Sequence, residues 1–307
     1  MNIVAYLKEH SQMVDRALDQ YTAPEQQRPD GLAPVLTDIP AALLESLRYS
    51  LLGGGKRLRP VLVIAAAALF TVPAQRVLPT ACALEMIHTY SLIHDDLPCM
   101  DDDDLRRGRP TNHKVYGDAV ATLSGDALLT MAFELLACQG RVEGVSPALA
   151  LRVVGELAVA AGAAGMVGGQ VEDLAWEGRS ASAEQLQRIH RLKTGALFRA
   201  ALRAGAILGG AQPADLACLD SYAAHYGLAF QIQDDVLDII GDEAKTGKGV
   251  GRDERHDKST YVRHFGLQGA SERAQAEVAA ARAALAPFGE RGEVLSALAQ
   301  FVIDREG

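Results

Sequence analysis

The stretch SLIHDDLPCMDDDDLRRGRPTNHK, residues 91–114, places six aspartates between Asp95 and Asp104 and follows them at once with Arg106 and Arg107. Clustered carboxylates repel one another, so ionising all of them is costly unless they spread into water or share a multivalent cation. Asp95, Asp96 and Asp101 form a DDxxxxD pattern at the end of the apolar segment LEMIHTYSLIH, and Pro98 predicts that a helix ends or distorts there. Oxygen-only ligands suit a hard cation, and Mg²⁺ takes one or two carboxylates together with substrate phosphates. Alone, the run reads equally well as a solvated acidic loop. It lacks the glycine and terminal glutamate spacing of an EF-hand.

A second pattern lies in FQIQDDVLDIIG, residues 230–241, where Asp234, Asp235 and Asp238 make a compact DDxxD. Gln231, Asp234/Asp235 and Asp238 recur at i, i+3/i+4 and i+7, which places them on one helix face, with Ile232, Val236 and Ile239 largely on others. Two such motifs, each on an apolar helix, predict acidic ridges facing one another across a cavity with metal between them. Metal held this way implies a phosphate ligand, and the chain carries cations to match. GGGKRLRP, Gly53 to Pro60, is a glycine turn with Lys56, Arg57 and Arg59, and Pro60 suits the first turn of a following helix. A helix N-terminus beside Lys and Arg is an anion site. The turn is not in the phosphate-loop frame GxxxxGK[ST]. RLKTGALFR supplies Lys193 and Thr194, and GDEAKTGKGVGRDERHDKST supplies Lys248 and Lys258. Any one of these is ordinarily a solvated surface residue. Here they gather in glycine-flanked breaks between apolar segments, where loops approach ligands.

The elements that must position these groups read as helices. The chain has 307 residues, 49% of them hydrophobic and only 5% aromatic, and strand-like alternation is hard to find. AALLESLRYSLL, VLVIAAAALF, LPTACALEMIHTYSLIH, ALLTMAFELLAC, ALRVVGELAVAAGAAG, ADLACLDSYAAHYGLAFQIQDDVLDII and ERAQAEVAAARAALA carry helical patterns, several apolar almost all round, as in buried helices of a large bundle. Breaks fall at GGGK, TVPAQ, the segment after LPCM, QGRVEGVSP, WEGRSAS, GGAQP and GDEAKTGKGVGRDE. The expectation is one all-α domain spanning residues 1–307, of roughly ten helices, with residues 21–38 as a connector.

Composition excludes several classes. Net charge is −9, which argues against sequence-independent nucleic-acid binding. No unbroken apolar run reaches the ~18–20 residues of a membrane helix, so no membrane insertion is expected. MNIVAYLKEHSQMVDR lacks the apolar core of a signal peptide. Four scattered cysteines with no CxxC pair point to reduced thiols in a cytoplasmic protein.

In order and spacing, GGGKRLRP, DDLPCMDDDDLRRGRP, KTG, FQIQDDVLD and a GK with a later KST resemble the trans-isoprenyl diphosphate synthases over nearly the whole chain. The two extra residues in the first motif are similar to those of the bacterial short-chain branch. The resemblance implies the isoprenoid synthase fold, a homodimer, and condensation of isopentenyl diphosphate with dimethylallyl or geranyl diphosphate. By the same resemblance Asp95, Asp96, Asp101, Asp234, Asp235 and Asp238 form the platform for three Mg²⁺ ions. Lys56, Arg59, His88 and Arg107 match the isopentenyl diphosphate site. Arg106, Lys193, Lys248 and Lys258 match the allylic diphosphate site. Thr194 and Gln231 match polar groups near the developing carbocation, and Gln170 and Asp173, in GGQVED, a cavity-lining motif. Val262 departs from the family pattern, which often has proline after KxTY.

Product length follows from depth. On a helix ending at Asp95, Tyr90 lies five residues earlier, about 7.5 Å deeper. Its ring, with Ser91 beside it, is expected to floor the tail pocket; in the family an aromatic here accompanies the fifteen-carbon product, farnesyl diphosphate. Tyr90 is alternatively ordinary core packing. The nearest competing reading is a geranylgeranyl diphosphate synthase with a deeper pocket. A terpene cyclase would not need GGGKRLRP, and a non-catalytic partner subunit tends to lose an aspartate motif. Glu85-x-x-His88 has the ExxH spacing of di-iron bundles, which need two copies; one is present.

Overall fold

The computed structural model describes residues 2–23, 38–240 and 260–305. Among these the chain forms thirteen α-helices and one two-stranded ribbon. Helix α1 (Ile3–Tyr21) starts where the Asn2 side chain accepts the Ala5 N–H. Helices α2 (Ala41–Leu51), α3 (Leu58–Ala68) and α4 (Ala74–Asp95) follow, with Pro60 in the first turn of α3 as its fixed φ favours. A ribbon of β1 (Leu105–Arg106) and β2 (Arg109–Pro110) leads into α5 (Asn112–Tyr116) and α6 (Asp118–Cys138). Helix α7 (Pro147–Ala161) opens with a Ser146 cap, and α8 (Met166–Trp176) follows. Helix α9 (Ala183–His190) begins with a Ser182–Gln185 capping box and runs through a π-helical turn, Arg191–Gly195, into α10 (Ala196–Leu208). Helices α11 (Pro213–Ile240), α12 (Tyr261–Ala284) and α13 (Glu293–Asp304) complete the bundle.

The all-α expectation holds, with more helices than the roughly ten expected. Helices α1, α5, α8, α9, α10 and α13 are not among the apolar segments singled out above. They are amphipathic or short, so apolar density passes over them. The capping-box spacing at Ser182 is the signal that marks α9.

Helix α3, buried along nearly its whole length, packs on α4 and α10, while α4 packs on α6 and α11 on α12. One buried apolar cluster draws side chains from every helix except α5 and α9, and a smaller one joins Leu186 of α9 to α11 and α12. Within the larger, Phe198 stands edge-on to Tyr226 and tilted against Phe230, ring centroids 5.1 Å apart in each pair. Arg57 is the exception to apolar burial. Held in a left-handed conformation at the start of α3, it donates to Glu85 Oε1 at 2.7 Å, Asp15 Oδ1 at 2.8 Å and the Leu51 carbonyl at 2.7 Å. It therefore ties α1, α2 and α4 together and does not face a ligand, which corrects its grouping with Lys56 and Arg59. Glu85 is accounted for by the same contact, not by a metal.

Two stretches, Asp118–Arg141 and Pro147–Trp176, are long and apolar enough by composition to cross a membrane, although neither holds an unbroken apolar run. Less than half of each apolar window is buried in the bundle.

Candidate active site

Helix α4 ends at Asp95, and the chain folds back over its end: the Asp101 N–H donates to the Asp95 carbonyl at 2.9 Å. The first aspartate motif is thereby gathered at one helix terminus. Burial pushes the Asp95 carboxyl up to about 6; Lys193 and Arg106 pull it down, and Asp101 and Asp96 push it further up. Asp96 is buried and grips Arg106 bidentately, Nη2 to Oδ1 at 2.6 Å and Nε to Oδ2 at 2.9 Å.

The ribbon aims the next two cations. Arg107 and Gly108 have φ of 53° and 72°, the two positive values a type I′ hairpin turn requires. Arg106 thus stays on the strand against Asp96, while Arg107 leaves the turn and donates to the Gly54 carbonyl of the glycine turn. Arg107, Arg59 and His88 converge there. Burial first, then Arg59, Arg107, Arg106 and Arg57, hold the His88 imidazole well below its usual range, so it is neutral. Arg59 lies 4.7 Å over the Phe198 ring, and its buried Nε has no hydrogen-bond partner among the described residues. Burial lowers the Arg59 guanidinium. A half-buried cation with an orphaned buried donor, beside a second arginine and a neutral imidazole, is a site for an anion. Lys56 stands exposed at its edge; partial burial and then Arg305 lower it, while Asp234 raises it.

Across the site, the π-helical turn carries Lys193 and Thr194; such turns recur at functional positions because they redirect side chains out of the helical register. Lys193 Nζ donates to Asp173 Oδ2 at 2.7 Å, and Asp173, Asp95 and Asp101 raise its ammonium against burial. Thr194 Oγ1 donates to Gln231 Oε1 at 3.2 Å, Gln231 Nε2 to Asp235 Oδ1 at 3.3 Å, and the Tyr261 N–H to Asp235 Oδ2 at 2.8 Å. Asp235 thus serves the start of α12, whereas its neighbour Asp234 meets Arg305. Among the described residues Asp234 and Asp235 thus turn to different partners, a departure from a single carboxylate stripe. Asp173, His190, Lys193, Thr194, Gln231 and Asp235 help to line a cavity of about 140 Å³. Gln170 is half-buried on α8 beside Gly169.

Gly169 makes the close approach of α8 to the π turn. A Cβ there would stand 2.3 Å from the Lys193 nitrogen and 2.8 Å from the Leu192 carbonyl carbon. Both are backbone atoms, so the clash cannot be relieved by a rotamer. Gly169→Ala is expected to cost about 1–3 kcal/mol and, by displacing Lys193, to lower turnover roughly tenfold. Denaturant melts and initial rates on one preparation check both.

Arg305 went unassigned at the sequence level. Buried at the end of α13, it donates to Asp234 and the Phe230 carbonyl and lies 4.1 Å over the Phe230 ring. No local pattern marks it; only folding brings the C-terminal end beside the second motif. Tyr90 is buried on α4, and Ser91 Oγ donates to the His88 carbonyl at 2.9 Å. Lys248 and Lys258 lie outside the described residues.

Among the described residues no three His, Cys, Asp or Glu side chains converge into a closed metal cage. The donor set fits Mg²⁺ nonetheless: this ion needs only one or two protein carboxylates when phosphate oxygens and water complete its shell. An oxygen-only set at the end of α4, with Asp95 pushed up by burial and like charge, has the chemistry for it.

A family model described as polyprenyl synthetase matches residues 40–297. The farnesyl diphosphate synthase of Geobacillus stearothermophilus is 45% identical over 307 residues, 100% of this chain and 99% of its own. The geranylgeranyl diphosphate synthase of Cyanophora paradoxa is 43% identical over 305 residues, 99% and 97% of the two chains. An FPP/GFPP synthase from Zymomonas mobilis, solved in apo form, matches with a TM-score of 0.84 at 40% identity, over 98% of this chain and 99% of that one.

Proposed function

The chain belongs to the polyprenyl synthetase family, and from that premise we propose that it condenses isopentenyl diphosphate with dimethylallyl and then geranyl diphosphate, releasing farnesyl diphosphate. The observation that carries this reading is the pairing of two anion-binding regions at one helix. Asp95, Asp96, Asp101, Arg106 and Lys193 gather at the end of α4, and Arg59, His88 and Arg107 gather beside the glycine turn, His88 lying about two helical turns before Asp95.

Arg106 and Lys193 hold the allylic diphosphate, with Lys248 and Lys258 assigned by resemblance. Lys56, Arg59, His88 and Arg107 hold the isopentenyl diphosphate. Asp95, Asp96, Asp101, Asp234 and Asp238, with Asp235 behind them, would hold Mg²⁺, three ions by family resemblance. Bound there, the metal would neutralise charge on the departing diphosphate. The cations act most as the allylic C–O bond breaks, because charge then builds on the leaving oxygens; the stabilisation is therefore differential. The allylic cation is attacked by the double bond of isopentenyl diphosphate held alongside. A C–C bond forms and a proton is lost to the released pyrophosphate, leaving an allylic diphosphate five carbons longer. The Thr194 and Gln231 oxygens face the developing cation.

The apolar tail extends from the α4 terminus into the bundle, where Tyr90 lies about 7.5 Å along. That favours the fifteen-carbon product. The geranylgeranyl diphosphate synthase among the relatives supports a deeper-pocket alternative. The test is incubation with Mg²⁺, isopentenyl diphosphate and dimethylallyl diphosphate, with products resolved by length. A fifteen-carbon diphosphate is the expected product. A twenty-carbon product transfers the protein to the alternative, and no condensation overturns the reading.

A second copy of the chain is the proposed partner. Leu151, Gly155 and Val159 form an exposed stripe on α7, and Val167 and Val171 are exposed on α8; Leu151 is 72% exposed and Val159 64%. Water-facing apolar area of this kind marks interaction surfaces. Leu151→Glu with Val159→Glu is expected to convert a dimer to monomers in light scattering. The four free cysteines suit a cytoplasmic setting.

A further inference from the structure

We propose that His94 is a positioning residue for product length: wedged between α4 and α6, it holds the Tyr90 ring across the path of the growing chain. The inference rests on the prenyltransferase reading above. His94 follows Tyr90 by four residues on α4 and so shares its face. The two rings meet edge to face, with centroids 5.7 Å apart and planes at 80°. His94 Nε2 lies 2.9 Å from the Thr122 carbonyl oxygen on α6, to which it donates, with Asp126 Oδ1 at 3.9 Å.

Helix α6 admits this imidazole only because residue 125 is glycine. A Cβ at Gly125 would stand 2.1 Å from His94 Nε2 and 2.5 Å from Cδ2. Glycine inside a helix costs about 1 kcal/mol against alanine, so a glycine in the middle of α6 calls for a local reason, and the notch for His94 supplies it. Thr122 and Gly125 lie one turn apart, so α6 offers an acceptor and a recess together. The Tyr90 ring, itself buried, opens the path beneath Asp95 only by changing rotamer. The His94 ring, packed at 80° to it, stands against that change. Tyr90 thus furnishes the barrier, and His94, fixed by Gly125 and Thr122, keeps it in place.

The test resolves products by chain length for the wild type, Gly125→Ala, His94→Ala, the double variant and His94→Gln. The overlap in Gly125→Ala falls on the far end of a flexible side chain, so the helix persists and the imidazole leaves. Gly125→Ala and His94→Ala are each expected to shift the product from fifteen to twenty or more carbons with turnover retained. The double variant should shift it no further than either alone. His94→Gln, whose amide reaches the Thr122 carbonyl, should keep the fifteen-carbon product. Unchanged length with slower turnover in His94→Ala overturns the inference, since His94 then only seats its neighbour Asp95. A shift in His94→Gln as large as in His94→Ala overturns it too, as does a twenty-carbon product from the wild type. Absence of any condensation by the wild type removes the underlying reading, and the inference with it; that arm alone reports it. Should Gly125→Ala not fold, His94→Ala decides.

Discussion

Asp95→Asn is expected to lower kcat/KM for condensation by roughly 10²–10³-fold, the range for removing one group that stabilises transition-state charge in an enclosed site. The variant keeps the shape of the side chain and removes the charge that would bind metal. Its second effect has the opposite sign. In the metal-free protein, burial first and then the neighbouring carboxylates push the Asp95 carboxyl from 3.8 to about 6. Between these values the folded state keeps a proton that the unfolded state has released, so stability falls as pH rises through the window. Asparagine is spared this penalty. With chelator present, Asp95→Asn should therefore melt above the wild type at pH 8 and lose the advantage by pH 4. The ceiling is ~3 kcal/mol, and about 1 kcal/mol is expected after solvent screening at the rim. Equal or lower melting at pH 8 would show that Asp95 is not held against its charge. Metal affinity should weaken as pH falls through about 6, because the carboxylate must be ionised to bind.

Glu85→Leu is expected to destabilise the fold by about 3–5 kcal/mol, the cost of stripping a buried charge of its partner. Arg57 and Glu85 are 2% exposed each. Asp15, the other carboxylate on Arg57, is half in solvent at 47% and is a poor substitute. The melting temperature should fall by on the order of 10 °C. Arg57 sits between Lys56 and Arg59, so a loosened turn should raise KM for isopentenyl diphosphate more than for the allylic substrate. Arg57→Met combined with Glu85→Leu should recover most of the stability, since apolar groups of similar volume replace a buried pair well. Thermal melts of the three variants and KM for each substrate decide it. A shift below 1 kcal/mol would mean that water reaches Arg57 after the loss of Glu85. Metal content should not change, because Glu85 serves Arg57.

Much of the site's raw material is legible along the chain because chemistry leaves local traces. Two aspartate motifs sit at the ends of apolar helical segments. Glycine turns carry cations, and proline marks where α4 cannot continue. These features need no partner to be seen. The helix count is less legible, because α9 is short and polar and α1 has a mixed polar pattern. Apolar density is a weak guide where tertiary packing, not composition, stabilises an element.

By itself the sequence determined the all-α class, the two acidic motifs and the turn carrying Lys56, Arg57 and Arg59, since periodicity and residue type are properties of short segments. Only the tertiary structure decided which way each charge turns. Arg57 and Arg59 are two residues apart, yet one is locked on Glu85 and the other lies over Phe198 beside His88. Asp234 and Asp235 are adjacent, yet one meets Arg305 from the far end of the chain and the other the first turn of α12. A charge inside the bundle must find a counter-charge or a hydrogen-bond donor wherever the fold places one. Those partners lie 28, 71 and 26 positions away, beyond the reach of any local pattern.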